Sequence, residues 1–123
     1  MKILIDTHIF LWALSAPDKL SSKRKFQLEL ASNEVFLSAM SIAELMIKSS
    51  LGKLEINFNP VEMAKQMGIE LLAFSGEEAL LLENIPFHHR DPFDRMIICQ
   101  AITYKLKLMS DDAQFKYYDC VLI

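Results

Sequence analysis

Asp6, Asp94 and the pair Asp111–Asp112 stand at the ends of apolar stretches, and Glu44 lies near the start of one: KILID ends in Asp6, SIAEL contains Glu44, HHRDPFDRMIICQA holds Asp91 and Asp94, and LMSDD closes on the acidic pair. Taken singly, such acids suit helix capping, in which a side-chain oxygen accepts the free amide hydrogens of the first turn. Asp6 fits as a cap for THIFLWAL, Ser41 with Glu44 matches the S-x-x-E capping box, and Asp111 fits as a cap for DDAQFKYY. Asp91 is the best placed of all, because Pro92 follows it and proline suits the first helical position. Taken together, the same acids suit a different chemistry. Carboxylates that share a pocket repel one another unless they are protonated or neutralised by cations. Hard divalent ions take oxygen ligands and handle phosphates, so this donor set fits metal-assisted phosphodiester hydrolysis. There, one cation lowers the pKa of a bound water, and a second about 4 Å away stabilises the leaving oxygen. No Ser-His or Cys-His signature offers a side-chain nucleophile, and the 3 glycines are too scattered for a phosphate-binding loop.

These positions matter jointly only if the chain brings them to one place. KILID, EVFLS, IELLAF, KLKLMS and DCVLI read as strands. Between them, THIFLWAL, SSKRKFQLELASN, AMSIAELMIKSSLG, residues 59–66, residues 76–84 and the stretch after Asp91 read as helices. Ser21 or Ser22 caps the second of these, and Gly52 stops the third. Strands that alternate with helices predict an α/β fold, a three-layer α/β/α sandwich around a mostly parallel sheet. Ligands bind at the carboxyl ends of strands in such folds, and Asp6 and Asp111–Asp112 follow predicted strands directly.

The 123 residues and 52% hydrophobic composition predict one compact domain over residues 1–123. No apolar run approaches the roughly 20 residues of a membrane span, and MKILIDTHIF meets an acid too early for a signal peptide. A cytoplasmic protein is therefore expected. Cys99 and Cys120 are isolated in apolar runs without metal-site spacing and read as core residues in a reducing compartment. The net charge of −3 gives no general basic surface for nucleic acid. If several acids serve as cation ligands, however, the remaining charge is close to balance.

DTHIFLW, SIAEL, HHRDPFDRMIICQA and LMSDDAQF, in that order, resemble the PIN domain, specifically the VapC-type toxins of toxin–antitoxin pairs. The resemblance spans almost the whole chain. It implies a metal site of four acids, mapped by motif to Asp6, Glu44, Asp94 and Asp112, with Asp111 as the competitor for the fourth place. Thr7 and Ser110 match small hydroxyl positions that assist such a site, or serve as structural hydrogen-bonding residues. The resemblance further implies a Mg²⁺- or Mn²⁺-dependent endoribonuclease, a homodimer, and a small antitoxin partner that blocks the acidic pocket. An exposed apolar groove near residues 21–51 is expected to receive that partner.

On this reading Asp91 is the cap and Asp94 the ligand. His88, His89 and Arg90 are expected to be solvated loop residues, with Arg90 and Arg95 as candidates for RNA phosphates. Two alternatives keep the strand-end acids. One is a receiver-like phosphoacceptor signalling domain, which needs a lysine at a late strand end where KLKLMS is followed by acids. The other is a PIN-type nuclease or phosphatase acting on a substrate other than RNA.

Overall fold

A computed structural model describes all of residues 1–123. Four strands, β1 (Lys2–Ile5), β2 (Glu34–Ser38), β3 (Glu70–Leu72) and β4 (Lys107–Met109), form one sheet in the order β3-β2-β1-β4. Every pairing is parallel, with Leu4 opposite Phe36 on one side and Leu108 on the other. Six α-helices cover it: α1 (Thr7–Ser15), α2 (Ser22–Glu29), α3 (Ala39–Ser50), α4 (Pro60–Gln66), α5 (Gly76–Leu81) and α6 (Pro92–Thr103).

The sheet is apolar on both faces because helices bury both. Along β1, Ile3 and Ile5 face a core built with Ile9, Phe10, Leu45 and Ala64 of α1, α3 and α4. Leu4 faces the opposite core, with Ile97, Ile98 and Ala101 of α6 and with Phe115. Successive strand side chains point to opposite faces, so a continuous apolar run such as KILI serves both layers at once.

DCVLI does not form the fifth strand expected of it. It makes a single parallel bridge, Leu108 with Leu122, framed by Leu108 N–H to Val121 O and Ile123 N–H to Leu108 O, both 2.8 Å. A 3₁₀ helix, Ala113–Tyr117, delivers the chain to β4 so late that only this contact forms. The expected helix over 76–84 ends as α5 and continues as a 3₁₀ turn, Leu82–Asn84.

All strands run the same way, so their carboxyl ends share one rim. The chain builds outward from β1 through β2 to β3, then returns to place β4 on the other flank of β1. That reversal of strand order falls beside the ends of β1 and β4, and folds of this kind bind ligands in the crevice at such a point. Asp6 leaves β1 there, and Ser110 to Asp112 leave β4.

Candidate metal centre

Asp6 follows β1 without an intervening loop and caps α1, its Oδ1 accepting the Ile9 amide at 2.8 Å. Its other oxygen, Oδ2, takes a hydrogen bond from the Ser110 hydroxyl. The same Ser110 oxygen accepts the Asp112 amide at 3.0 Å, so one hydroxyl joins the ends of β1 and β4. Burial pushes the Asp6 carboxyl above its ordinary value, although Ser110, the Ile9 amide, His8 and Arg24 all work against the shift.

The expected capping box at Ser41 and Glu44 is not formed. β2 passes directly into α3, so Ser38 is the cap and accepts the Met40 amide at 3.1 Å. Ser41 and Glu44 lie within the helix and turn inward. The Thr7 hydroxyl lies 2.9 Å from Ser41 Oγ and 2.7 Å from Glu44 Oε1, and Lys48 donates to Glu44 Oε2 at 2.7 Å. Both oxygens of a buried carboxylate are thereby engaged. The hydrogen bond to Glu44 holds the Lys48 ammonium above its usual range, and the charges of Asp91 and Asp94 add to this.

Asp91 caps α6, its Oδ1 accepting the amides of Phe93 at 2.9 Å and Asp94 at 3.2 Å. Asp94 is free of that task, and its Oδ2 faces the His89 ring. Burial raises its pKa to about 7, helped by Asp91, Glu44 and Asp6 and opposed by His89.

Asp111 and Asp112 part company. Asp111 pairs with Arg24 of α2, whose guanidinium also donates to Ser110 O at 2.9 Å and Ile123 O at 3.0 Å. It is not the expected cap of the following turn; Asp112 is, accepting the Gln114 amide at 2.9 Å. Asp112 Oδ2 lies 2.7 Å from His89 Nε2, and Asp94 Oδ2 lies 3.1 Å from the same atom. Burial alone would push Asp112 up, but the His89 hydrogen bond and the Gln114 amide outweigh it and hold the carboxyl low.

His89 is therefore no solvated loop residue. Its side chain is only 12% exposed, its ring lies against Phe115, and its backbone amide and that of His88 both donate to the Tyr118 hydroxyl. Arg95 fastens the same loop by donating to the carbonyls of Pro86 and Ile85, each at 3.0 Å, with longer contacts to Leu82 and His89. Phe87 stacks 4.4 Å from that guanidinium. Its donors thus point to the backbone, whereas Arg90 is exposed beside a shallow pocket lined by His88, His89 and Gln114.

His89, Asp94 and Asp112 form one compact group whose ligand atoms all lie within 4.8 Å of one another. Asp6 joins it through Ser110, and Glu44 stands apart with Thr7 and Lys48. His89 Nδ1 accepts the Asp91 amide at 3.1 Å, so the ring hydrogen lies on Nε2 and faces the carboxylates. In that tautomer the ring donates and does not ligate. The donors left for a cation are carboxylate oxygens, which fit a hard ion such as Mg²⁺ or Mn²⁺. Sequence reasoning missed His89 and Lys48. Lys48 had a local signal in its four-residue spacing from Glu44; His89 had none.

The model of the PIN domain matches residues 3–119. The chain belongs to the PIN domain family. Among solved structures it is similar to VapBC2 from Rickettsia felis bound to a promoter DNA fragment, with a TM-score of 0.75 and 17% identity over 100% of this chain and 98% of that one. DNA-bound VapBC from Salmonella typhimurium gives 0.69 and 17%, covering 100% and 97%. FitAcB from Neisseria gonorrhoeae gives 0.62 and 21%, covering 98% and 96%. No curated protein matches the chain. No helix is long and apolar enough to cross a membrane.

Proposed function

We propose that this PIN domain is a divalent-metal-dependent endoribonuclease and the toxin of a toxin–antitoxin pair, with residues 1–123 acting as a single cytoplasmic unit. The observation that carries this reading is the convergence of Asp94 and Asp112 on one nitrogen of His89, with Asp6 joined to them through Ser110; burial and the neighbouring acids raise the pKa of Asp94 to about 7. A fold keeps such a group where binding a cation offsets the repulsion. A bound Mg²⁺ or Mn²⁺ supplies an activated water and charge compensation at the phosphate. Of the four acids mapped by motif, Asp6, Asp94 and Asp112 are the residues to hold it, and Glu44 stands beside them with its oxygens engaged by Thr7 and Lys48. Thr7 and Ser110 orient Glu44 and Asp6 through their hydroxyls, and His89 orients Asp112 and Asp94. Arg90, exposed at the rim, is placed to meet an RNA phosphate.

The antitoxin reading draws on the VapBC complexes among the similar structures. It also draws on an apolar groove of about 280 Å³ lined by Leu20, Leu28, Val35, Met67 and Ile69, with Lys25 and Glu29 at its edge. Exposed Phe26, Met46, Ile47 and Leu51 on or beside α2 and α3 extend apolar surface through residues 21–51, and Leu80 and Phe87 offer a separate apolar face for a second copy of the chain. The receiver-like alternative gains nothing here, since β4 is followed by Ser110 and the acidic pair.

The deciding experiment incubates the purified chain with labelled single-stranded RNA and with DNA of the same sequence, with Mn²⁺, with Mg²⁺ and after exhaustive chelation. Metal-dependent cleavage of RNA is expected. Cleavage of DNA alone favours the non-RNA substrate, and RNA cleavage that survives chelation overturns the metal mechanism.

A further inference from the structure

We infer that Lys48 takes the place of a second divalent cation at Glu44, so that this chain binds one divalent ion per site, on the side formed by Asp6, Asp94 and Asp112. The inference rests on the metal-dependent reading above and adds to it the number of ions and the residue that sets it.

The geometry divides the acids into two sets. Glu44 is 3% exposed, so its charge cannot be left to solvent. Both of its oxygens are occupied, Oε1 by the Thr7 hydroxyl and Oε2 by the Lys48 ammonium, each at 2.7 Å. Thr7 is itself held 2.9 Å from Ser41 Oγ, which leaves Glu44 little room to turn towards the other acids. Asp94 and Asp112 lie instead around His89, and Asp6 reaches Asp112 through Ser110, with no lysine or arginine paired to any of the three. The uncompensated negative charge is therefore on that side, and a divalent ion settles there.

Lys48 is held by charge and not by packing. It lies one helical turn beyond Glu44 on α3, on the same face, and its side chain is 40% exposed. A divalent ion at Glu44 would have to displace the ammonium from Oε2 and then sit beside it, with like charges opposed at short range. An uncharged side chain of similar length removes that opposition while leaving Glu44 and Thr7 in place.

The test counts bound Mn²⁺ by titrating MnCl₂ alone into the chelator-stripped full chain at pH 7.5, read by calorimetry and by the spin-resonance signal of free Mn²⁺. The wild type and Lys48→Arg should each take up one ion per chain, and Lys48→Met should take up two. Two ions in the wild type overturn the inference and leave the metal-dependent reading standing. One ion in a folded Lys48→Met, as judged by thermal unfolding without metal, also overturns it. No Mn²⁺ uptake by any variant removes the metal-dependent reading itself, and this inference with it. If Lys48→Met fails to fold, the wild-type count still decides, because a value of two is incompatible with Lys48 holding the second place.

Discussion

The backbone amide of Asp91 donates to His89 Nδ1 at 3.1 Å, while Nε2 of the same ring lies 2.7 Å from Asp112. A residue whose side chain caps α6 thus uses its main chain to set the tautomer of the histidine at the crevice. The ring hydrogen is directed at the carboxylates, and Tyr118 and Arg95 keep the loop from turning it away. His89 then acts by orienting Asp94 and Asp112.

Removing an orienting partner of this kind weakens metal binding or activity by roughly 10–100-fold while leaving the ligands themselves in place. His89→Ala should therefore lower Mn²⁺ affinity and RNA cleavage by about that factor, with circular dichroism unchanged. Unaltered affinity in the folded variant would show that the histidine is a bystander.

Asp111 and Asp112 should separate cleanly on substitution. Asp112→Asn removes a carboxylate that faces Asp94 and His89, and cleavage should collapse. Asp111→Asn removes only a half-exposed partner of Arg24, worth at most about 1 kcal/mol after solvent screening, and should retain most activity. Paired cleavage assays and urea melts check both expectations, and the opposite pattern would exchange the roles of the two residues.

Much of this layout was legible because it is local. Apolar runs marked β1 to β4, Ser21 or Ser22 marked a helix start as a cap, and Gly52 marked a helix end that needs the left-handed backbone it adopts at φ +71°. What escaped was decided at long range. Twenty-three positions separate His89 from Asp112, and only the return of β4 beside β1 brings them together. VLI has the composition of a strand, yet its pairing is cut to one bridge by the 3₁₀ turn before it. Ser41 carries the right spacing for a capping box, but β2 runs into α3 three residues earlier and gives that role to Ser38.

Stability without metal should fall as pH rises towards neutrality. Asp94 has a folded-state pKa of about 7 against an ordinary 3.8, so between those values the native state keeps a proton that the unfolded chain has lost. Its contribution is complete below the ordinary value and is lost as pH rises through about 7. Asp6, also raised by burial, acts in the same direction, whereas Asp112, held low, contributes in the opposite sense and only in acid. Urea unfolding of chelated protein at pH 5 and pH 8 should show the loss, smaller in Asp94→Asn. Added Mn²⁺ should reverse it, because binding requires the ionised carboxylate.

Asp94 and Asp91 provide the sharpest contrast, since Asp91 caps α6 and Asp94 lies in its first turn, three residues on, with its oxygens facing other groups. Asp91 accepts two amides of the helix start, and its replacement by alanine should cost about 1 kcal/mol of stability. Its charge also helps to raise Asp94, so Asp91→Ala should lower the pKa of Asp94 and leave cleavage largely intact, the His89 tautomer being set by a main-chain amide that alanine retains. Asp94→Asn removes the carboxylate whose ionisation the metal-free fold resists. Without metal it should unfold at higher urea concentration than the wild type at pH 8, and with Mn²⁺ it should show almost no cleavage. Thermal and urea unfolding without metal, followed by RNA cleavage with Mn²⁺, give four readings on the two variants. A stable but inactive Asp91→Ala beside an active but weakened Asp94→Asn would make Asp91 the ligand and Asp94 the cap.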